Sequence, residues 1–264
     1  MKLFVVIGMH RSGHHGVLNW ICEQHGCITH LNNVYLSKDH KSFETPRPDI
    51  CITRYGDNPY DLLVNLETFD LRRWHNQGWD ESDAIRRADE VQVILVLRRF
   101  RNWLASTAMH PGNRCLKGTV RQDVIEDWCV RRFNPYRSHM AAALGKSPIG
   151  DLLVIRFDHW FAFPEYRKEL AKQLGVPFTD AGLNTVPRFA AGSTFDKRKY
   201  DGKAQEMKVL ERWKKAQGTE PYEKLMKRDP ELDRLSEEYF SAWLERYRSH
   251  DPDASTTANL PASE

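Results

Sequence analysis

Several features that mark specialised proteins are scarce in this 264-residue chain, and each scarcity removes a class of function. There are only five cysteines, Cys22, Cys27, Cys51, Cys115 and Cys129, and no two form a CxxC pair. An odd set without that spacing argues against a disulfide framework and for free thiols in a reducing, cytoplasmic setting. Long apolar runs are missing as well. Leu3-Phe4-Val5-Val6-Ile7 stops at Gly8, too short for a signal segment or a membrane span, and no later run is longer in kind. Net charge is nearly balanced, with 39 basic residues against 36 acidic ones leaving +3. That is too little to coat a nucleic acid, and it suits a small anionic ligand better. Metal signatures are also lacking. His10 and His14 are four apart but straddle a glycine turn, and neither an HExxH nor a cysteine accompanies them and His15, so no metal is expected.

What is present points to one α/β domain. The hydrophobic fraction of 41% supports a full core. Leu3 to Ile7, Val91 to Leu97 and Leu152 to Phe157 are continuous β-branched runs, as parallel strands covered on both faces require. Asp61 to Leu66 is a fourth candidate. Helical patterns lie between and after them, at 16–25 before Gly26, at 102–109 before Pro111, at 122–144 with a break expected at Asn134-Pro135, and at 164–174 before Gly175. The expected fold is therefore a P-loop-like, doubly wound α/β sheet, mainly parallel and flanked by helices. Residues 1–250 form its single domain, with 31–88 as an acceptor-binding insertion and 251–264 as a flexible tail. Residues 176–203 read as loop and 204–216 as a basic amphipathic helix. Asp229-Pro230 starts a last helix whose Leu232, Leu235, Tyr239, Trp243 and Tyr247 face the body.

The densest signal follows the first strand, in Gly8-Met9-His10-Arg11-Ser12-Gly13-His14-His15-Gly16. Glycines at a strand-to-helix joint, followed by a fresh helix N-terminus, make a cradle for phosphate. Gly8 and Gly13 have the spacing of a Walker A loop, but His14 and His15 stand where its lysine and its metal-binding hydroxyl belong. Mg-nucleotide chemistry is disfavoured, and the cation sits inside the turn, at Arg11.

This loop resembles the 5′-phosphosulfate loop of the PAPS-dependent sulfotransferases, in bacterial-type form. Arg11, Ser12 and Gly13 match that motif, whereas His14 and His15 replace its two hydroxyl residues. Arg98, ending the Val91 to Leu97 strand, and Ser106, eight positions later, resemble the family's 3′-phosphate pair. Gly192, Ser193 and Thr194, with Arg198 beyond them, are similar to its late loop over the nucleotide. The resemblance implies PAPS as donor, 3′,5′-adenosine bisphosphate as product, and no required metal. The ligands it implies are Arg11, Ser12, Gly13, His14, His15, Gly16, Arg98, Ser106, Gly192, Ser193, Thr194 and Arg198.

On this reading Arg11 offsets charge on the departing oxygen, since arginine is a poor proton donor. Glu67, after the Asp61 to Leu66 strand, is the first candidate base, with Asp70, His14 and His15 as competitors. Asp158 reads as structural, and His75, His110 and His139 as surface residues. The acceptor is expected to be a small molecule or glycan, sulfated at a hydroxyl or amine. A P-loop nucleotide or small-molecule kinase and a non-catalytic nucleotide-binding module are the alternatives.

Overall fold

The computed structural model describes residues 1–37, 42–46, 51–57, 59–109, 122–187, 196 and 198–250. Six strands make the central sheet: β1 (Lys2–Gly8), β2 (Ile28–Leu31), β5 (Ile52–Tyr55), β6 (Asp61–Glu67), β7 (Glu90–Leu97) and β8 (Leu152–Arg156). Their spatial order is β5-β2-β6-β1-β7-β8, while β3 (Tyr35–Leu36) and β4 (Phe43–Glu44) pair separately. Every neighbouring pair in the sheet is parallel except β2 and β5, so the antiparallel partner is confined to one edge.

Packing explains why β1 reads as an unbroken apolar run. Phe4 and Val6 pack on one face among Leu18, Ile21 and Leu170, while Leu3, Val5 and Ile7 pack on the other with Leu71, Trp74 and Trp79. A strand buried on both faces has no polar alternate positions to show. Each such side chain contributes about 1.5–3 kcal/mol relative to exposure.

The helices are α1 (His14–His25), α2 (Asp83–Arg86), α3 (Phe100–Ala108), α4 (Gln122–Ala143), α5 (Phe157–Ala162), α6 (Pro164–Leu174), α7 (Arg212–Ala216), α8 (Glu220–Met226) and α9 (Pro230–His250). Chain connections leave β1 toward β2 on one side, and pass from β6 across β1 to β7 on the other. Strand order reverses there, so a crevice opens beyond the carboxyl ends of β1 and β7.

Several expectations need correction. The strands β2 and β5 and the helix α8 were not legible, being short and only partly apolar. α4 runs through Pro135 without the expected break. Proline forfeits a single rung, and the buried Phe133, Tyr136 and Met140 hold the helix in line against the core. Residues 204–216 are not one helix. Two 3₁₀ turns (Ala204–Glu206 and Val209–Glu211) precede α7, because the Val209 and Leu210 carbonyls accept from Arg98 and Asn102 side chains. His139 is not a surface residue; it is fully buried and its Nε2 lies 2.7 Å from the Phe69 carbonyl.

Within 31–88, β5 and β6 belong to the central sheet, and the rings of Trp74 and Trp79 stack in the core. α9 docks with Leu232 buried and Leu235, Tyr239 and Trp243 partly so, while Phe240, outside the expected stripe, is fully buried and the Tyr247 side chain lies outside the described residues. His110 and residues 251–264 lie outside the described residues.

Candidate active site

The turn after β1 is shaped by two left-handed residues, Arg11 (φ 73°) and Gly13 (φ 83°). Gly13 caps α1, and a Cβ there would lie 2.3 Å from Phe157 Cε2. Gly8 is equally constrained, since a Cβ would meet His14 Cβ at 2.9 Å. The glycines are thus required by close approach, and they bring the N-terminus of α1 to the crevice. The loop is pinned from outside by Trp103 Nε1, which donates to the His10 carbonyl at 2.9 Å.

Sheet register sets the second wall. Glu67 is the partner of Gly8 across β6 and β1, so its carboxylate emerges at the same edge as Arg11. Its Oε1 lies 3.2 Å from His14 Nε2 and 3.5 Å from His15 Nε2. Burial alone would raise the Glu67 pKa. Hydrogen bonding to His14 and the charges of His14, His15 and His10 outweigh burial and bring it down to about 2. Burial pushes the imidazole pKa of His15 well down and that of His10 to about 4. The Asp70 side chain instead caps the 3₁₀ turn Leu71–Arg73 and pairs with Arg72, which removes it from the site.

The third wall is cationic. Arg98, at the end of β7 and 2% exposed, donates through Nη1 to Ser106 Oγ at 2.9 Å and to the Arg11 carbonyl at 3.1 Å. Its Nη2 donates to the Val209 carbonyl. Arg212 reaches the same hydroxyl, with Nη1 3.4 Å from Ser106 Oγ, and also pairs with Asp196 at 3.3 Å. Burial, with the positive Arg212 beside it, lowers the Arg98 pKa to about 9; burial also lowers that of Arg212. Two largely desolvated guanidiniums thus converge on one hydroxyl, an arrangement that favours an anion beside it.

These walls enclose a cavity of about 480 Å³. Its lining combines Arg11, Arg98, Arg212 and Glu67 with the apolar Phe157, Trp160, Phe161, Leu183 and Met207. A cavity of that size, largely apolar with three arginines, suits a planar ligand bearing negative groups.

The structure brings together Arg11, Ser12, Gly13, His14, His15, Gly16, Glu67, Arg98 and Ser106 around this cavity and its arginine pair. Ser12 is buried, its Oγ 3.2 Å from His14 Nδ1. Arg198 is not among the lining residues and pairs with Asp201. Gly192, Ser193 and Thr194 lie outside the described residues. Asp158 accepts from the Arg99 backbone at 3.0 Å and from Asn102 at 3.3 Å, tying the start of α3 to α5. Arg212 was missed because it sits among lysines in what read as a basic amphipathic helix, on its charged side. Its neighbour Trp213, unusual on a solvated face, was the available signal.

No protein-family model and no curated protein sequence matches the chain. Among solved structures, the crystal structure of mouse sulfotransferase SULT7A1 complexed with PAP is similar at a TM-score of 0.45 and 11% identity, covering 90% of this chain and 89% of that one. A likeness of that size carries no argument about function. Among the described residues, no helix is long and apolar enough to cross a membrane.

Proposed function

We propose that the chain is a sulfotransferase. On this reading it moves a sulfuryl group from PAPS to a hydroxyl or amine of a small molecule or glycan, and releases 3′,5′-adenosine bisphosphate. The observation that carries the reading is the convergence of buried Arg98 and half-buried Arg212 on Ser106, with Arg98 also bonded to the Arg11 carbonyl at the turn that starts α1. A donor with phosphates at both ends of its ribose needs a cationic grip at each, and on this reading Arg98 with Arg212 is one and the adjoining Arg11 turn the other.

Arg98, Ser106 and Arg212 hold the 3′-phosphate. Ser12, Gly13, His14, His15 and Gly16 present the start of α1 to the 5′ end. Phe157 and Trp160 supply an apolar wall for the purine. Arg11 neutralises the charge that grows on the bridging oxygen as the bond to sulfur breaks. Glu67, ionised and shared between His14 and His15, receives the acceptor's proton. With a pKa near 2 it is a weak base, suited to taking the proton late, once the acceptor atom has begun to bond to sulfur and become acidic. The bound donor supplies the sulfuryl group, and no metal is required by this scheme.

Calorimetric titration with 3′,5′-adenosine bisphosphate and with Mg-ATP tests it. Metal-independent binding of the bisphosphate is expected, weakened at least about tenfold (about 1.4 kcal/mol) by Arg98→Ala and by Arg11→Ala. Preference for Mg-ATP, or indifference to the 3′-phosphate, would overturn the reading in favour of a kinase. Tight binding without transfer to any hydroxyl or amine acceptor would leave a nucleotide-binding module.

A further inference from the structure

Two histidine nitrogens and one carboxylate oxygen converge in the cavity wall, each nitrogen standing further from the oxygen than a short charge-assisted hydrogen bond would place it. His14 Nε2 and His15 Nε2 both approach the same oxygen, Glu67 Oε1, at 3.2 Å and 3.5 Å. Both distances exceed the roughly 2.7–2.9 Å of a good charge-assisted hydrogen bond. They match the edges of a metal tetrahedron instead, because bonds of about 2.1 Å give ligand-to-ligand spacings of about 3.4 Å. All three ligand atoms lie within 4.8 Å of one another.

We propose that His14, His15 and Glu67 form a binding site for a divalent first-row transition ion of the Zn²⁺ type, with the fourth position open to the cavity. The donor set is two imidazoles and a carboxylate, which suits Zn²⁺ or Co²⁺ and not the all-oxygen preference of Ca²⁺ or Mg²⁺. Three protein ligands and one open position is also the coordination of zinc sites that exchange an outer ligand. One outer contact is in place. Ser12 Oγ sits 3.2 Å from His14 Nδ1, so an Nδ1–H donated to the serine leaves Nε2 with its lone pair for the ion. Asn32 Oδ1, 3.3 Å from His15 Nε2, and Asn65 Nδ2, 3.4 Å from His14 Nε2, are contacts of the metal-free protein that the ion displaces. Rigid elements carry the ligands, the first turn of α1 and the last residue of β6, locked by the Gly8–Glu67 register.

In the sequence His10, His14 and His15 cluster without an HExxH or a cysteine beside them. The sheet supplies the carboxylate partner, Glu67, from 52 positions beyond His15. Binding of the ion does not depend on the sulfotransferase reading. One consequence does rest on it: an ion on Glu67 Oε1 occupies the oxygen that takes the acceptor's proton, so metal-loaded protein transfers sulfuryl groups more slowly than metal-free protein.

The test uses the full chain without any histidine tag, titrated with Co²⁺ and followed by visible absorption. One equivalent is expected to bind with the intense bands of four-coordinate cobalt, and Zn²⁺ is expected to displace it. Glu67→Gln and His15→Gln should each weaken binding at least tenfold while near-ultraviolet circular dichroism stays that of the parent. A Cys27→Ser, Cys129→Ser double variant should leave the spectrum unchanged. Absence of a bound equivalent, an unaltered spectrum in both ligand variants, or thiolate-to-cobalt bands that vanish with the cysteines would each overturn the site. Bisphosphate titration of the same preparations separates failure of this site from failure of the proposed function, since either can hold without the other.

Discussion

At the residue scale, the turn after β1 separates binding from stability. Arg11 holds a left-handed backbone that glycine adopts freely, so Arg11→Gly removes the guanidinium without disturbing the turn. Unfolding free energy should stay within about 1 kcal/mol of the parent, because relieved strain offsets the added chain entropy. Bisphosphate affinity should nonetheless fall at least tenfold. Urea denaturation and calorimetry on one preparation check both, and a variant that loses stability but keeps affinity would reject Arg11 as a ligand. Gly13→Ala is the converse. Its Cβ collides with the Phe157 ring at a φ of 83°, which should cost about 2 kcal/mol or more and lower the urea midpoint. The sequence made this turn legible because the glycines, Arg11 and Ser12 are contiguous. Arg98 and Ser106 were legible because eight positions link a strand end to the next helix. Arg212 was not, because its approach to Ser106 is made by tertiary contact across 106 positions.

At the scale of elements, the long buried strands and amphipathic helices were legible from their runs and periods, whereas the connections were not. β2 and β5 exist through pairing with β6 and with each other, not through local preference. The segment after α6 is similar, since the side chain of Gln24 organises it from α1. Gln24 Oε1 accepts from the Thr179 and Asp180 backbone at 2.7 Å and 3.1 Å, and its Nε2 donates to the Ala181 carbonyl at 2.9 Å. The loop so held delivers Leu183, Thr185 and Val186 to the cavity. Gln24→Met keeps the volume and strands two amides, a loss of about 1–3 kcal/mol for each that stays unsatisfied. Hydrogen exchange should quicken at residues 179–187, and bisphosphate affinity should drop severalfold. Unchanged exchange there would show that the loop is held by other contacts.

At the scale of the whole molecule, three buried histidines in separate layers add to His10 and His15 of the site in setting the response to acid. His30 lies on β2, His139 on α4 and His159 on α5, each with no exposed surface. Burial lowers their pKa values to about 3, 4 and 2 respectively, from an ordinary value near 6.5. Between pH 6.5 and the folded values, the unfolded chain therefore binds protons that the folded chain refuses. Stability is flat above that window and falls as pH drops through it, by about 1.4 kcal/mol per pH unit for each histidine, roughly 4 for all three. His75, exposed beside Asp80, is shifted the other way, but solvent screens it. Urea unfolding at pH 7.5, about 6 and about 5 isolates the effect, because carboxylates stay ionised across that range. His139→Gln retains a donor for the Phe69 carbonyl and removes one titration of five, since His10 and His15 are also lowered, so its slope should be shallower than the parent's by about 1.4 kcal/mol per pH unit. Equal slopes in parent and variant would mean that His139 already carries its proton in the folded protein near neutral pH, and that the buried helix face of α4 accommodates a charge.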